Sequence, residues 1–452
     1  MHKSRARSRI LLLGYLCGMM LLFLVGMHSE SGWAATENIQ ICQLIQHNID
    51  YIHDGDGLEI ADINDDGKMD VVIAESVAGK VAWYEQNSPY SWTRHEVVSG
   101  YQKIEGLDVL KANGEIYIVI LDQMGEELDL AGAKNEDVKG EWKNVTLDAE
   151  APFVQCSLEA DIDEDGDLDL FYSYEGEDQH EGGRICWLEN LGGSVLEKDN
   201  WEKHTVSATP GAWWIAQHRM DINGDGKETE IVFTSRYKEE AGIFWAEPDL
   251  ILTDPWIVHT IEDNSDYSPL HVTVGNFFGD GHRKDIAAAA LNEGSGAYLY
   301  RYSKEYSREV IREDGNYHNI VALDLDNKDR DELLLVRGKA LLSAIYDNIM
   351  LYQYEEGGYS CRWKTLYRKA DDRIIPYDLT GDGYAEIITV AANDNSVDWW
   401  EVSFGVCPSP LFWDIFTVLM VLISLAVAVL ILRGLGFKKV YSRFKERVRR
   451  NP

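Results

Sequence analysis

Residues 160–173 read ADIDEDGDLDLFYS, and five aspartates fall on alternate positions: Asp161, Asp163, Asp165, Asp167 and Asp169. An EF-hand loop would close on a glutamate at its twelfth position, between two helices. Counted from Asp161 that position is Tyr172, inside a run of strand-forming residues, so the EF-hand reading fails. A hydrated acidic turn would explain one such stretch, because Asp, Asn and Gly favour turns for local reasons. It does not explain the copies.

Related stretches recur as ADINDDGKMDVVIA from Ala61, MDINGDGKETEIVF from Met220, GNFFGDGHRKDIAA from Gly275, LDLDNKDRDELLLV from Leu323 and YDLTGDGYAEIITV from Tyr377. A seventh, LDVLKANGEIYIVI from Leu107, keeps the flanking strands without the acids. Aligned on their first acidic position, the units begin at 62, 108, 161, 221, 276, 324 and 378. Units of roughly fifty residues have the length of a four-stranded propeller blade.

Further signatures follow each acidic loop. A WxE strand recurs at Trp83 and Glu85, Trp187 and Glu189, Trp245 and Glu247, and Trp399 and Glu401. After a turn comes an aromatic-x-x-His strand, in WTRHEVV from Trp92, WEKHTVS from Trp201 and WIVHTIE from Trp256. The period is that of strands almost throughout residues 38–405. The expected fold is therefore all-β, a seven-bladed β-propeller.

The last unit runs out after Glu401 and lacks its outer strand. The spare segment ICQLIQHNIDYI from Ile41 fits there, with Leu44 on Trp92, His47 on His95 and Ile49 on Val97. The N-terminal strand thus completes the seventh blade and removes the open sheet edges. In that register Cys42 and Cys407 are candidates for a disulfide across the closure. The other cysteines, Cys17, Cys156, Cys186 and Cys361, are too sparse for a disulfide scaffold.

Oxygen ligands at loop positions 1, 3 and 5, a glycine at 6, a main-chain carbonyl at 7 and an acid at 9 can wrap a calcium ion. The loops from Asp62 (Asn64, Asp66, Asp70) and Asp161 (Asp163, Asp165, Asp169) carry the full set, and that from Asp378 (Thr380, Asp382, Glu386) nearly so. In the loop from Asp221 (Asn223, Asp225) one extra residue moves the closing acid to Glu230. The Asn276 loop has Phe278 at position 3 and the Asp324 loop has Lys328 at position 5. Three or four calcium ions are expected rather than seven, and their expected effect is to tie strand A to strand B, with binding energy appearing as folding energy.

The ends of the chain have a different character. Residues 1–34 combine basic Lys3, Arg5, Arg7 and Arg9 with an apolar run from Ile10 to Met27 and small Gly32 and Ala34, which reads as an export signal or an uncleaved anchor. Residues 411–433 contain an uncharged stretch from Ile415 to Leu432, and residues 434–452 are strongly basic. That pattern predicts one C-terminal membrane span, a cytoplasmic tail and a propeller outside the cytoplasm. The whole chain carries a formal charge of −35, and without its two basic ends the remainder is near −44. Such a surface repels nucleic acid and argues for cation binding, halophilic solvation, or both.

The acidic loops with their WYEQ, WLEN and WAEP strands resemble the FG-GAP or VCBS repeats of integrin-α-like β-propellers over residues 38–405. The resemblance implies calcium in these loops and a role in adhesion or ligand binding at the cell surface. The Phe-Gly and Gly-Ala-Pro elements of the animal repeats are mostly missing here. Some propellers with such repeats are polysaccharide lyases or sugar dehydratases, which is the alternative reading.

In a propeller the residues leading into each innermost strand ring one mouth of the central channel. Here they include Asp56, Gln155, Trp214, His218, His271, His318, Asp372 and Arg373, a set able to bind a sugar, to bind a metal or to do acid and base chemistry. The strand histidines His47, His95, His204 and His259 repeat with the blade and are read as packing residues.

Overall fold

The computed structural model describes residues 40–405 except 113, 135–136, 178–180, 210–211, 217, 237–240, 250, 254, 264–268, 280–284, 291–295, 302–305, 314–316, 326–329, 338–348, 356–357, 365–372 and 392–394. The expected leader (1–34), membrane span (411–433) and tail (434–452) lie outside the described residues, as do Asp372, Cys407 and the side chain of Cys42. Among the described residues no helix is long and apolar enough to cross a membrane.

Among the described residues twenty-eight strands pair into seven four-stranded antiparallel sheets. Six blades use consecutive strands, called A to D from the axis outward, and span residues 55–99, 104–148, 154–207, 212–263, 269–312 and 317–364. The seventh is built from Arg373–Tyr377, Glu386–Ala391 and Ser396–Gly405, and its outermost strand is the N-terminal Gln40–Tyr51. The expected closure is thus the observed one. His47 stacks on Trp399 at 4.2 Å, as His95 does on Trp83 at 4.4 Å and His259 on Trp245 at 3.9 Å, so the N-terminal strand sits in the register of the other D strands.

Each blade is apolar on both faces, because it packs against a neighbour on either side. Seven apolar clusters result among the described residues, one at each blade junction. The cluster joining blade 7 to blade 1 holds Ile52, Leu58, Val71, Ile73, Leu379, Ile388 and Trp399, and Gln86 donates its side-chain amide to the Leu379 carbonyl across the same junction at 3.1 Å. Leu44 belongs to the cluster between blades 6 and 7, so the N-terminal strand contributes core as well as hydrogen bonds.

One register differs from expectation. In blade 2, strand A runs Ile104–Ala112 and strand B starts at Glu115, with Ala112 opposite Glu115 as Ala61 is opposite Asp70 in blade 1. A tight turn through Gly114, at φ 76°, replaces the long acidic loop. Asp108 is therefore a mid-strand residue equivalent to Glu59 and not the first position of a loop.

If the N-terminal strand closes the ring, Leu44→Ala will cost about 2–4 kcal/mol in denaturant unfolding. Ile45→Ala, at a more exposed position of the same strand, will cost less than about 0.5 kcal/mol. Equal effects would contradict the assigned register.

Candidate functional site

Strand A descends from one end of each blade to the acidic loop at the other. Because the strands are antiparallel, the residues before strand A share their end of the blade with the end of strand B. That shared end is the mouth; the acidic loops lie on the opposite face.

The loops show how the acids are used. The closing acid is buried in six of them: Asp70, Asp169, Glu230, Asp285, Glu332 and Glu386. Each accepts a hydrogen bond from the amide of loop position 2: Ile63 at 3.1 Å, Ile162 at 2.9 Å, Ile222 at 2.7 Å, Phe277 at 3.2 Å, Leu325 at 2.8 Å and Leu379 at 2.8 Å. The side chain at position 2 is itself buried in every case. Asp70 and Asp169 also accept the amides of Gln86 and Asn190, both at 2.8 Å, and so tie the loop to strand C. Burial pushes the carboxyls of Asp70, Asp169 and Glu386 up to about 7.

The exposed loop acids behave differently from blade to blade. Asp62 accepts the amides of Asp66 and Gly67, Asp221 those of Gly224 and Gly226, and Asp378 those of Gly381, Asp382 and Gly383. Asn64 and Asn223 donate their amides to Glu85 and Glu247 at 3.3 and 2.9 Å, and the hydroxyl of Thr380 lies 3.4 Å from Glu386. Asp66, Asp225 and Asp382 accept the amide two residues on. In blade 3 the third position is Asp163, which cannot donate and instead faces Glu189, and Asp165 accepts the amide of Asp167. One oxygen of Asp161 is buried without a hydrogen-bond partner, and oxygens of Asp161, Asp163 and Asp169 lie within 4.8 Å of one another. Gly166 holds φ 100° in open space, so the turn needs glycine for its backbone and not for room.

Glu189, Glu202 and His204 also converge. The His204–Glu189 contact, 2.7 Å, recurs as His95–Glu85, His259–Glu247 and His47–Glu401, so it is part of the blade's construction.

At the mouth, Arg373 reaches across the axis. Its Nε donates to the Asp56 carbonyl at 2.9 Å, another nitrogen donates to the Glu105 carbonyl at 2.7 Å, and its guanidinium lies 4.4 Å from the Trp214 ring centre. Trp214 meets His271 edge-on at 4.0 Å, and His271 meets His318 at 5.5 Å. The structure therefore brings Asp56, Trp214, His271, His318 and Arg373 together, but as a plug across the channel. His271 is 4% exposed, and burial, with His318 and Arg373 beside it, holds its imidazole well below the usual range. Gln155 is buried and donates to Glu175 at 3.0 Å. His218 is exposed near the Asp221 loop.

Beneath the plug lies a cavity of about 50 Å³ touched by strand A of all seven blades, lined by Glu59, Ser157, Trp214, Thr273, Asn319 and Arg373 among others. Glu59, Asp108 and Glu159 meet electrostatically near it: burial and then Glu159 push the Glu59 carboxyl up to about 8, and the same causes raise Asp108. Above the plug, Lys103 bonds Glu105 at 2.6 Å and Gln123 at 2.7 Å, and Arg236 stacks on Trp213 at 3.9 Å beside Glu175. Sequence reasoning missed these residues. Gln123, Glu175 and Arg236 follow or end strand B, and a search restricted to the approach to strand A does not see them.

No family model matches the chain, and no curated protein matches its sequence. Among solved structures, BBS1N in complex with ARL6DN is 10% identical at a TM-score of 0.48, over 82% of this chain and 98% of that one. The WD40 β-propeller domain of Doa1 is 12% identical at a TM-score of 0.48, over 80% and 97%. The Aleuria aurantia lectin, in complex with α-methyl-L-fucoside, is 12% identical at 0.38, over 70% and 97%. At such identities and scores these likenesses assign neither a family nor a ligand.

A carboxyl whose folded pKa is raised binds its proton more tightly in the folded state, so its contribution to stability is full below the unfolded value and is lost as pH rises through the folded one. For Glu59 that window runs from about 4.5 to about 8. Glu59→Gln should therefore raise stability at pH 8 by roughly 1–2 kcal/mol and change it little at pH 4. Urea unfolding at the two pH values measures the difference, and an equal effect at both would contradict the proposed origin.

Proposed function

We propose that the chain is a membrane-anchored, calcium-tied β-propeller that displays a ligand-binding mouth outside the cytoplasm. The observation that carries the calcium assignment is blade 3, where three carboxylates converge and a buried Asp161 oxygen has no protein partner. All the side-chain donors there are hard oxygens, the chemistry calcium requires. The ion would be held by Asp161, Asp163, Asp165 and Asp169, and it would supply the positive charge that the loop's carboxylates lack.

The loops from Asp62, Asp221 and Asp378 supply comparable ligands, for three or four ions in all. To take an ion, Asn64 and Asn223 must release Glu85 and Glu247. Blade 3 is therefore the loop expected to fill first.

The apolar stretch Ile415–Leu432 and the basic residues after it support an anchor with a cytoplasmic tail. The propeller's face away from the acidic loops then offers a polar mouth with Trp213, Trp214 and charged groups, suited to an extracellular protein or glycan and unsuited to nucleic acid. The lyase or dehydratase alternative is less well supported. Its acid and base candidates are spent on the plug: His271 is buried and neutral, and Arg373 is engaged by two carbonyls.

Thermal melts of the purified chain with calcium and with chelator test this reading. At calcium a hundredfold above its dissociation constant the ion should add about 2.7 kcal/mol. Asp161→Ala should remove the share of that gain that blade 3 contributes and leave the share of the other loops in place. Asp285→Ala, in a loop without a full ligand set, should cost about 2–4 kcal/mol equally in calcium and in chelator, because its role is to hold backbone amides. A chain whose melting is indifferent to calcium would refute the metal assignment.

A further inference from the structure

Arg236 follows strand B of blade 4 and reaches the mouth. Its guanidinium lies over the Trp213 ring, 3.9 Å from its centre, and makes no hydrogen bond or ion pair among the described residues. Two other cations of the mouth among the described residues are engaged. Arg373 donates to two backbone carbonyls, and Lys103 is held by Glu105 and Gln123 with Asp54 and Asp56 close by. Arg236 is thus a half-buried cation whose donors are idle, in a chain whose formal charge is −35.

Desolvating a guanidinium without satisfying its donors is costly. Two acids are near enough to feel it, Glu175 and Glu105, but neither pairs with it. Glu105 belongs to Lys103, and Glu175 accepts a hydrogen bond from Gln155. Burial outweighs the arginine at Glu175 and pushes that carboxyl up to about 7, the opposite of what a salt bridge would do. The Trp213 ring covers one side of the guanidinium, and its N–H donors, which make no hydrogen bond among the described residues, are of the kind that receives two parallel carboxylate oxygens.

We propose that Arg236, held on Trp213, is the anchor for a carboxylate group of the ligand that enters the mouth. A monocarboxylate fits better than a phosphate dianion or a polyanion, because Glu105 and Glu175 lie near Arg236 and Asp54 and Asp56 lie near Lys103, so the described mouth is rich in acids. The carboxylate belongs to a sugar acid or to an amino-acid side chain; the recognition chemistry is shared. The assignment deepens the ligand-binding reading of the mouth and rests on it.

The test is isothermal titration of the purified full chain with galacturonate, with N-acetylaspartate α-amide and with the methyl ester of galacturonate. Either carboxylate should bind, the stronger one naming its source, and the ester should bind about 10- to 100-fold more weakly than its acid. Arg236→Lys should weaken the carboxylates by a similar factor while leaving the melting temperature in place, and Arg236→Gln should abolish binding. The ester comparison uses only wild-type protein, so it decides the matter even if a variant misfolds. Equal binding of acid and ester overturns the carboxylate anchor and leaves the ligand-binding mouth standing. Binding of none of the three probes also overturns the anchor. In that event a screen of immobilised neutral glycans and proteins, scored for loss of binding in Trp214→Ala, decides separately whether the mouth binds anything.

Discussion

A buried carboxylate that accepts a neighbouring backbone amide is the interaction on which the rest of this propeller depends. In six blades the acid that ends the A–B loop turns inward and accepts the amide of loop position 2, and in blades 1 and 3 it also accepts an amide from strand C. Hydrogen bonds to a charged group contribute about 1.5–3 kcal/mol each and are expensive to leave unmade when buried. The clamp fixes the direction in which the chain leaves strand A and drives the apolar side chain of position 2 into the core. It works in the Asn276 and Asp324 loops, which lack a full set of calcium ligands. The ninth position is therefore structural before it is anything else.

This division explains how far the sequence could be read. The repeat, the closure by the N-terminal strand and the displaced closing acid at Glu230 all follow from spacing along the chain, because a blade is a local unit and its loops connect adjacent strands. Blade 2 misled because Asp108 imitates a loop acid, whereas the chain actually turns through Gly114 and Asp108 stays within the strand. The mouth was legible in half. The sequence placed Trp214, His271, His318 and Arg373 ahead of strand A; they lie within it, near its start, but at a spacing from each acidic loop that still brings them to the mouth. Glu59, Glu159 and Arg236 acquire their meaning only from residues on other blades, and no spacing within one repeat reports that.

The two faces of the ring obey opposite electrostatic rules. On the loop face, acids are concentrated and neutralised by amides, by asparagine and by neighbouring lysines such as Lys111 on Asp65 and Lys227 on Glu164. On the mouth face, the described cations Arg373 and Lys103 are committed to fixed partners. Arg373 illustrates the cost of closing a seven-blade channel: one guanidinium satisfies carbonyls of blades 1 and 2 and covers an indole of blade 4. That commitment makes it a poor candidate for ligand chemistry, although sequence position alone singled it out.

The same logic separates loops that share a motif. Asn64 and Asn223 can donate, so blades 1 and 4 satisfy the glutamate of the WxE strand from within. Asp163 cannot, and it brings a further negative charge against Glu189 in a loop that already contains four other aspartates. One atom's difference between amide and carboxylate at the third position thus decides whether a loop is complete by itself or carries uncompensated charge. Like charges so close are held in place only by the surrounding strands, and the fold tolerates them because the clamp at Asp169 is already made. The stretch that first resembled an EF-hand loop is, in these terms, the one whose third-position side chain cannot donate to the glutamate of its WxE strand.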